Sequence, residues 1–103
     1  MANSGSVSRW IKKLKRGESI AATHVWDRYH DNLLRLARRR LIGASRRVAF
    51  EEDVVCTAFQ SFFRRAREGQ FPELAGRDEL WALLSTITHR KAVNVLRVEQ
   101  SQK

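Results

Sequence analysis

The segment that decides the fold reads EEDVVCTAFQSFFRRAR and spans residues 51–67. Its apolar side chains recur every three or four positions, which is the period of a helix with one buried face. Acids open the segment and arginines close it, an order that complements the helix dipole at both ends. We therefore predict a helix from about Phe50 to Arg67 with the acids in its first turn. Its predicted buried face comprises Val54, Val55, Ala58, Phe59, Phe62 and Ala66.

Two helices are predicted before this segment. The first begins near Val7 and ends at Gly17, since glycine commonly follows a helix terminus. The second begins near Ser19, carries apolar residues at spacings of three and four, and stops at Gly43. Residues 44–49 are expected to form the connecting loop.

One further helix is predicted after a second loop. Pro72 and Gly76 break the helical pattern, so residues 70–77 form this loop. Asp78 is the expected N-cap of the last helix, which runs to about Val98 before a polar tail that frays. No segment alternates as a strand would. The sequence therefore predicts an all-α single domain, a compact bundle of three long helices plus a short N-terminal helix.

The charge distribution points to a polyanionic partner. Twenty basic residues against 11 acidic ones give a formal charge of +9, which suits nucleic acid. The basic residues concentrate in three groups, at residues 12–16, 35–47 and 90–97, whereas acids cluster at residues 51–53. We interpret this pattern as basic faces together with one acidic patch for a different partner.

Several function classes find no support in the motifs. The sequence contains no glycine-rich phosphate loop, no His-Glu-x-x-His and no nucleophile elbow. His24 and His30 are six residues apart, so a helix does not place them on one face. Cys56 is the single cysteine, which excludes a disulfide within the chain. We expect no enzyme, no cofactor and no metal, and we expect Cys56 to be a small, partly buried side chain.

The sequence also lacks the signals of membrane insertion or export. No stretch of about 18 apolar residues is present, and the N-terminus lacks the pattern of a signal peptide. We therefore expect a cytoplasmic protein with no membrane insertion.

Three segments follow one another in an order that is typical of a known family. Residues 26–38 read WDRYHDNLLRLAR, residues 51–63 read EEDVVCTAFQSFF, and residues 80–92 read LWALLSTITHRKA. They resemble, in turn, the W-x-R-Y-x-x-x-L-x-x-L-A-R opening of sigma-factor region 2, the region 2.2 signature with an acidic pair before V-V-Q-E-x-F, and the F-x-x-W-L-x-x-I-A-R-N-x-A pattern of regions 2.3 and 2.4. The chain thus resembles region 2 of a sigma-70 family factor of the extracytoplasmic-function (ECF) type over about residues 9–98.

The resemblance implies a polymerase-binding role for the segment that decides the fold. In the family, this helix binds the clamp helices of the largest subunit of core RNA polymerase. The residues that carry this role here are Glu51, Glu52, Asp53, Cys56 and Gln60. Cys56 and Thr57 replace the family's usual glutamine and glutamate, so the resemblance does not fix the strength of the contact at Cys56. The alternative is that the acids are solvated and only stabilise the start of the helix through its dipole. Both roles can hold at once.

The resemblance further implies that the second loop and the last helix recognise and melt the promoter minus-ten element. Melting needs pockets that accept unstacked bases and basic side chains that hold phosphates, chiefly of the non-template strand. The candidates in the loop are Phe71, Glu73, Leu74 and Arg77. The candidates along a polar face of the last helix are Ser85, His89, Arg90, Lys91, Asn94 and Arg97. Thr88-His89-Arg90 replaces the family's A-R-N, so contacts of that asparagine are not carried over.

Several alternatives remain open at the level of sequence. Trp81 is expected in the core, with a position beside the melted strand as its alternative. Arginines between residues 35 and 47 either contact the DNA backbone or form a solvated face. An anti-sigma factor is a further partner that the resemblance allows. The family also has a region 4, a helix-turn-helix that reads the upstream promoter element. We find no such segment in the sequence, so we expect the chain to be a domain of a longer protein. The rival functions are a polymerase-binding module without promoter recognition and a duplex-binding helix-turn-helix domain.

Overall fold

Four α-helices make up the fold in the part of the chain that the structure describes. The computed structural model describes residues 2–43 and 47–101, and side chains over residues 6–43 and 50–101. The helices are α1 (Ala2–Lys15), α2 (Ser19–Arg40), α3 (Arg47–Arg67) and α4 (Arg77–Ser101). No strand is present within these residues. The predicted all-α bundle of three long helices and a short N-terminal one is confirmed.

The helices pack around one hydrophobic core, and α3 contacts each of the other three helices. Phe59 and Phe62 of α3 are among the largest fully buried side chains. The core residues contributed by the other helices include Val7, Ile11 and Leu14 from α1, Val25, Leu33 and Ala37 from α2, and Leu80, Leu84 and Ala92 from α4. Removing these apolar surfaces from water is the main force that holds the bundle together. The predicted buried face of α3 is confirmed at all six positions.

The outer ends of α1 and α4 extend further than the pattern predicts. α1 begins at Ala2 rather than near Val7, and α4 continues to Ser101 rather than stopping near Val98. Apolar periodicity marks only the part of a helix that packs on the core, so helical residues outside that part give no periodic signal. The polar residues predicted to fray are thus helical as far as Ser101.

The start of α3 also differs from the prediction. The helix begins at Arg47 instead of Phe50, so part of the expected loop is helical. Residues 44–46 of that loop lie outside the described residues. The acids at residues 51–53 consequently lie beyond the first turn, which contains no acidic residue. Because the dipole effect falls off within the first turn, their interaction with the helix dipole is weaker than predicted.

The N-terminus of α4 is capped by a residue other than the expected one. Asp78 lies in the first turn of the helix rather than at its N-cap. The carbonyl of Gly76 accepts the first helical hydrogen bond from the Leu80 N–H, at 3.0 Å. The N–H of Gly76 donates to Oε1 of Glu79 at 2.7 Å, as in the returning half of a capping box. Gly76, which the sequence pattern places inside the loop, is therefore the N-cap residue of α4.

The predicted stop at Gly17 is confirmed, and its geometry shows why glycine is required there. Gly17 has a φ of +83°, a left-handed conformation that side chains with a Cβ rarely adopt. The Glu18 N–H donates to the Lys13 carbonyl at 3.0 Å, which satisfies one of the last carbonyls of α1. A Cβ at Gly17 would also lie 3.3 Å from Cδ of Arg67. The tight turn thereby places α1 and α2 side by side.

Candidate functional site

The acidic triplet of α3 divides into one structural and two exposed carboxylates. Glu51 is buried, at 5% exposure, and its Oε1 lies 3.3 Å from Nε of Arg38 on α2. Glu52 and Asp53 are exposed. Successive helix positions differ by about 100° in direction, so three adjacent acids cannot share one environment. The expectation of a solvated Glu51 is therefore wrong, because its carboxylate links α3 to α2.

The exposed side of α3 forms a continuous surface, which we call the docking face. It consists of Glu52, Asp53, Cys56 and Gln60, all exposed. Glu52, Cys56 and Gln60 follow one another at intervals of four residues and therefore lie along one side of the helix. The prediction that Cys56 is partly buried is wrong. Val54, Val55, Ala58 and Phe59 occupy the core-facing positions, and the helical period turns Cys56 outward.

A histidine of α2 borders the docking face. Nε2 of His30 lies 3.4 Å from Oε1 of Glu52, and its Nδ1 lies 3.2 Å from Oδ1 of Asp31. Its ring also contacts Trp26, with 4.7 Å between ring centroids. Over residues 2–43 and 47–101, no group of three or more His, Cys, Asp or Glu side chains could hold a metal ion. His30 thus connects α2 to the acidic surface of α3.

The loop between α3 and α4 is held against α3 through its aromatic residue. The ring of Phe71 stacks on Phe62, with centroids 5.7 Å apart and planes 13° apart. The guanidinium of Arg65 lies 4.9 Å from the centroid of Phe71, within the range of a cation–π interaction. Nε of Arg65 also donates to Oε1 of Gln70 at 3.0 Å. Phe71 is therefore half-buried and fixed in orientation rather than free in solvent.

The other end of this loop is anchored by a backbone contact from α1. Leu74 is buried and joins the hydrophobic core. Nζ of Lys15 donates to the Leu74 carbonyl at 2.7 Å. Between the two anchors is an open pocket of about 310 Å³, which we call the loop pocket. It is lined by Gln70, Phe71, Pro72, Glu73, Leu74, Glu79 and Leu83.

The loop candidates thus occupy different positions around this pocket. Phe71, Glu73 and Leu74 line it, whereas Arg77 is exposed at the start of α4 and is not among its lining residues. Glu73 is exposed, so its carboxylate is accessible to a ligand. Leu74 contributes a buried apolar surface instead.

The polar candidates on α4 differ in their exposure to solvent. Arg90, Asn94 and Arg97 are exposed, and their spacing of four and three residues places them on one side of the helix. Ser85 and His89 are half-buried elsewhere on α4. The Ser85 hydroxyl and Nδ1 of His89 are buried without a hydrogen-bond partner in the described part of the chain.

Lys91 is likewise half-buried, beside the fully buried Ala92. The exposed polar candidates in the second half of α4 are therefore Arg90, Asn94 and Arg97.

Trp81 borders a basic cleft between α2 and α4 that sequence patterns did not define. The expectation that it lies in the core is only partly correct, because the indole is half-buried. It stacks on the buried Tyr29, with ring centroids 6.0 Å apart. The cleft has a volume of about 430 Å³ and is lined by Asn32, Arg35, Arg38, Arg39 and Trp81. The sequence shows the cluster of Arg35, Arg38 and Arg39, but the position of this cluster opposite Trp81 of α4 depends on helix packing.

Tyr29 beneath this tryptophan is a buried polar group. Burial raises the pKa of its phenol because the charged form is poorly solvated there, while Arg28 and Arg77 oppose the shift. Its hydroxyl has no hydrogen-bond partner among the described residues. Because the folded-state pKa is raised, the neutral phenol stabilises the fold at lower pH, and this contribution is lost as the pH rises through that pKa.

Comparison with known proteins identifies the family. The model described as ECF sigma factor matches residues 4–103. No curated protein and no solved structure matched the chain. Among the described residues, none of the helices combines the length and apolar character needed to cross a membrane. The family match covers nearly the whole sequence and agrees with the all-α bundle described above, so the chain belongs to the ECF sigma factor family.

Proposed function

We propose that this chain binds core RNA polymerase through α3 and recognises and melts the promoter minus-ten element through the loop pocket. As a member of the ECF sigma factor family, it has a sigma-factor role in transcription initiation. The observation that best supports binding of both polymerase and promoter is that α3 carries two separate surfaces. The docking face precedes Ser61, and the side chains that hold the loop pocket follow it.

The docking face fits a basic protein partner. Glu52 and Asp53 place two exposed carboxylates on a chain whose formal charge is +9. Such a local acidic surface attracts a basic surface and orients it during encounter. We assign this role to the clamp helices of the largest polymerase subunit, with Cys56 and Gln60 contributing to the same contact.

The loop pocket fits an unstacked base. Phe71 offers an aromatic ring, Leu74 an apolar wall, and Glu73 an accessible carboxylate that can accept a hydrogen bond from a base. Melting becomes favourable when such a pocket stabilises an extruded base better than the duplex does. Arg77, Arg90, Asn94 and Arg97 are the exposed candidates for holding the phosphates of the non-template strand.

Binding energy alone accounts for this function, so we propose no catalytic step and no cofactor. The chain acts where polymerase acts, and we accordingly place it in the cytoplasm. An anti-sigma factor that covers the docking face would compete with polymerase, which makes it a regulatory partner in this proposal.

A strand-binding experiment tests the proposal with the chain assembled on core polymerase from its source organism. The probe is a fluorescent single strand whose sequence is selected by that holoenzyme from a random promoter library. We expect it to bind at least ten-fold more tightly than a scrambled strand, since each mismatched base typically costs about 1–3 kcal/mol. Affinity for both strands should fall as salt rises. Assembly on polymerase with equal binding of both strands would instead indicate an interaction module without promoter recognition.

A further inference from the structure

One side chain of α1 contacts the backbone of the loop pocket. Lys15 lies 59 residues from Leu74 in the sequence, yet its Nζ donates a 2.7 Å hydrogen bond to the Leu74 carbonyl. The contact is partly buried, and the donor is the terminal ammonium group of a lysine. Hydrogen bonds from ionised donors are shorter and stronger than neutral ones. α1 therefore supports the loop directly.

The position of this bond makes it relevant to the shape of the pocket. The Leu74 N–H donates to the Phe71 carbonyl at 3.1 Å, which closes a turn over residues 71–74. Lys15 then holds the carbonyl at the far end of the same turn. Phe71, Pro72, Glu73 and Leu74 all line the pocket. The orientation of these four residues therefore depends on both the local turn and the lysine.

Neighbouring basic residues on α1 differ from Lys15 in their surroundings. Lys12 is exposed, and Arg16 pairs with Glu18 at 3.7 Å on the surface. Lys15 is half-buried and reaches another part of the chain. Lys12 thus adds positive charge to the surface, whereas Lys15 also holds a backbone carbonyl of the loop.

We propose that Lys15 is a positioning residue that holds residues 71–74 in the conformation that accepts an unstacked promoter base. The inference rests on the proposed function of the loop pocket. A pocket that is ordered before binding avoids the entropy cost of ordering the loop in the complex. Lys15 thereby increases discrimination between promoter sequences without touching the DNA.

The test compares Lys15→Met with Lys12→Met, because both remove one positive charge from α1. Each variant is assembled on core polymerase and titrated with the selected strand and its scrambled version. For Lys15→Met we expect the ratio of the two affinities to fall about five-fold, because the net contribution of one hydrogen bond changes an equilibrium constant by about that factor. For Lys12→Met we expect an unchanged ratio, because loss of a general charge weakens both strands equally. Circular dichroism and polymerase binding verify that both variants are folded.

Amide hydrogen exchange gives a second measurement that does not depend on DNA. The Leu74 amide should exchange faster in Lys15→Met than in Lys12→Met, since the turn that it closes loses its support. If the wild-type chain discriminates between strands and Lys15→Met keeps the same ratio, the inference is overturned while the proposed function stands. If the wild type shows no discrimination, the proposed function fails, and unchanged Leu74 exchange would then refute the support by Lys15 as well.

Discussion

The docking face and the loop pocket are built in different ways. The docking face takes its four residues from α3 alone, at positions set by the helical period. The loop pocket depends on a turn held by Lys15 of α1, by Arg65 and Phe62 of α3, and by the capping of α4 through Glu79. One surface is a property of a single helix, whereas the other requires three helices to be packed correctly.

This difference suggests a division of tasks. A charged surface on one helix tolerates changes elsewhere in the bundle, because long-range charge attraction requires little exact geometry. A pocket for a base needs its walls held in place, because small displacements remove contacts. We therefore expect polymerase binding to respond mainly to charge, and strand discrimination to respond to contacts that hold the loop.

The largest expected effect is on polymerase binding. The double variant Glu52→Lys with Asp53→Lys should weaken binding to core polymerase about 100-fold, because like charges then face each other across the interface. The measurement is a competition assay against the wild-type chain, and the thermal midpoint should stay close to that of wild type. Glu68→Lys, an exposed change of the same sign near the end of α3, is the control. Equal losses in both variants would contradict a specific docking face.

The second prediction separates Glu51 from its neighbours. Glu51→Ala should lower the free energy of unfolding by about 2 kcal/mol, because it removes a buried carboxylate that pairs with Arg38. Glu52→Ala, at an exposed position, should change it by less than about 0.5 kcal/mol. Chemical denaturation measures both. If the two variants are equally stable, the division of the acidic triplet is refuted.

The third prediction concerns the support of the loop by α3. Arg65→Met should reduce discrimination between the selected and scrambled strands about ten-fold, because it removes the contacts with Phe71 and Gln70. Arg64→Met changes the same charge at the exposed neighbouring position and serves as the control. Strand titration of the holoenzyme is the measurement. A ten-fold loss of polymerase binding in Arg65→Met would show that the two surfaces are not separate.

The smallest effect is expected inside α4, away from both surfaces. Thr88 is fully buried, and its hydroxyl has no hydrogen-bond partner among the described residues. Thr88→Val should raise the free energy of unfolding by about 1 kcal/mol, since it replaces an unsatisfied hydroxyl with a methyl group of similar size. Thr86→Val is the matched control, because Thr86 is exposed and donates to the Ala82 carbonyl at 2.8 Å. Thermal denaturation should show a higher midpoint for Thr88→Val alone.

Helical periodicity predicted the buried face of α3 but did not predict the surroundings of every polar residue. The period predicts Val54, Val55 and Phe59 in the core because they share one helical face, and all three are buried. Glu51 lies on the border of that face, and its burial depends on Arg38 arriving from α2. The prediction for Cys56 is wrong because its apolar neighbours in sequence are not its neighbours on the helix surface.

The loop pocket illustrates the larger limit of sequence patterns. Pro72 and Gly76 predicted a loop, and the resemblance to region 2 implied a role for it in promoter binding, but neither could indicate Lys15 as a partner. That contact joins residues 59 positions apart, and no local spacing encodes it. Trp81 presents a similar case, because its half-burial is decided by how α4 packs on Tyr29 of α2.

The sequence alone determined the helical class, the four helices in their order, and, through three ordered motifs, the resemblance to the ECF family. These features are local, since they follow from periods of three and four residues and from helix-breaking glycine and proline. Only the tertiary structure decided which acid is buried, how far Trp81 is buried, and which residues hold the loop pocket. Those outcomes depend on contacts between distant segments, which exist only after the apolar faces of the helices have packed together.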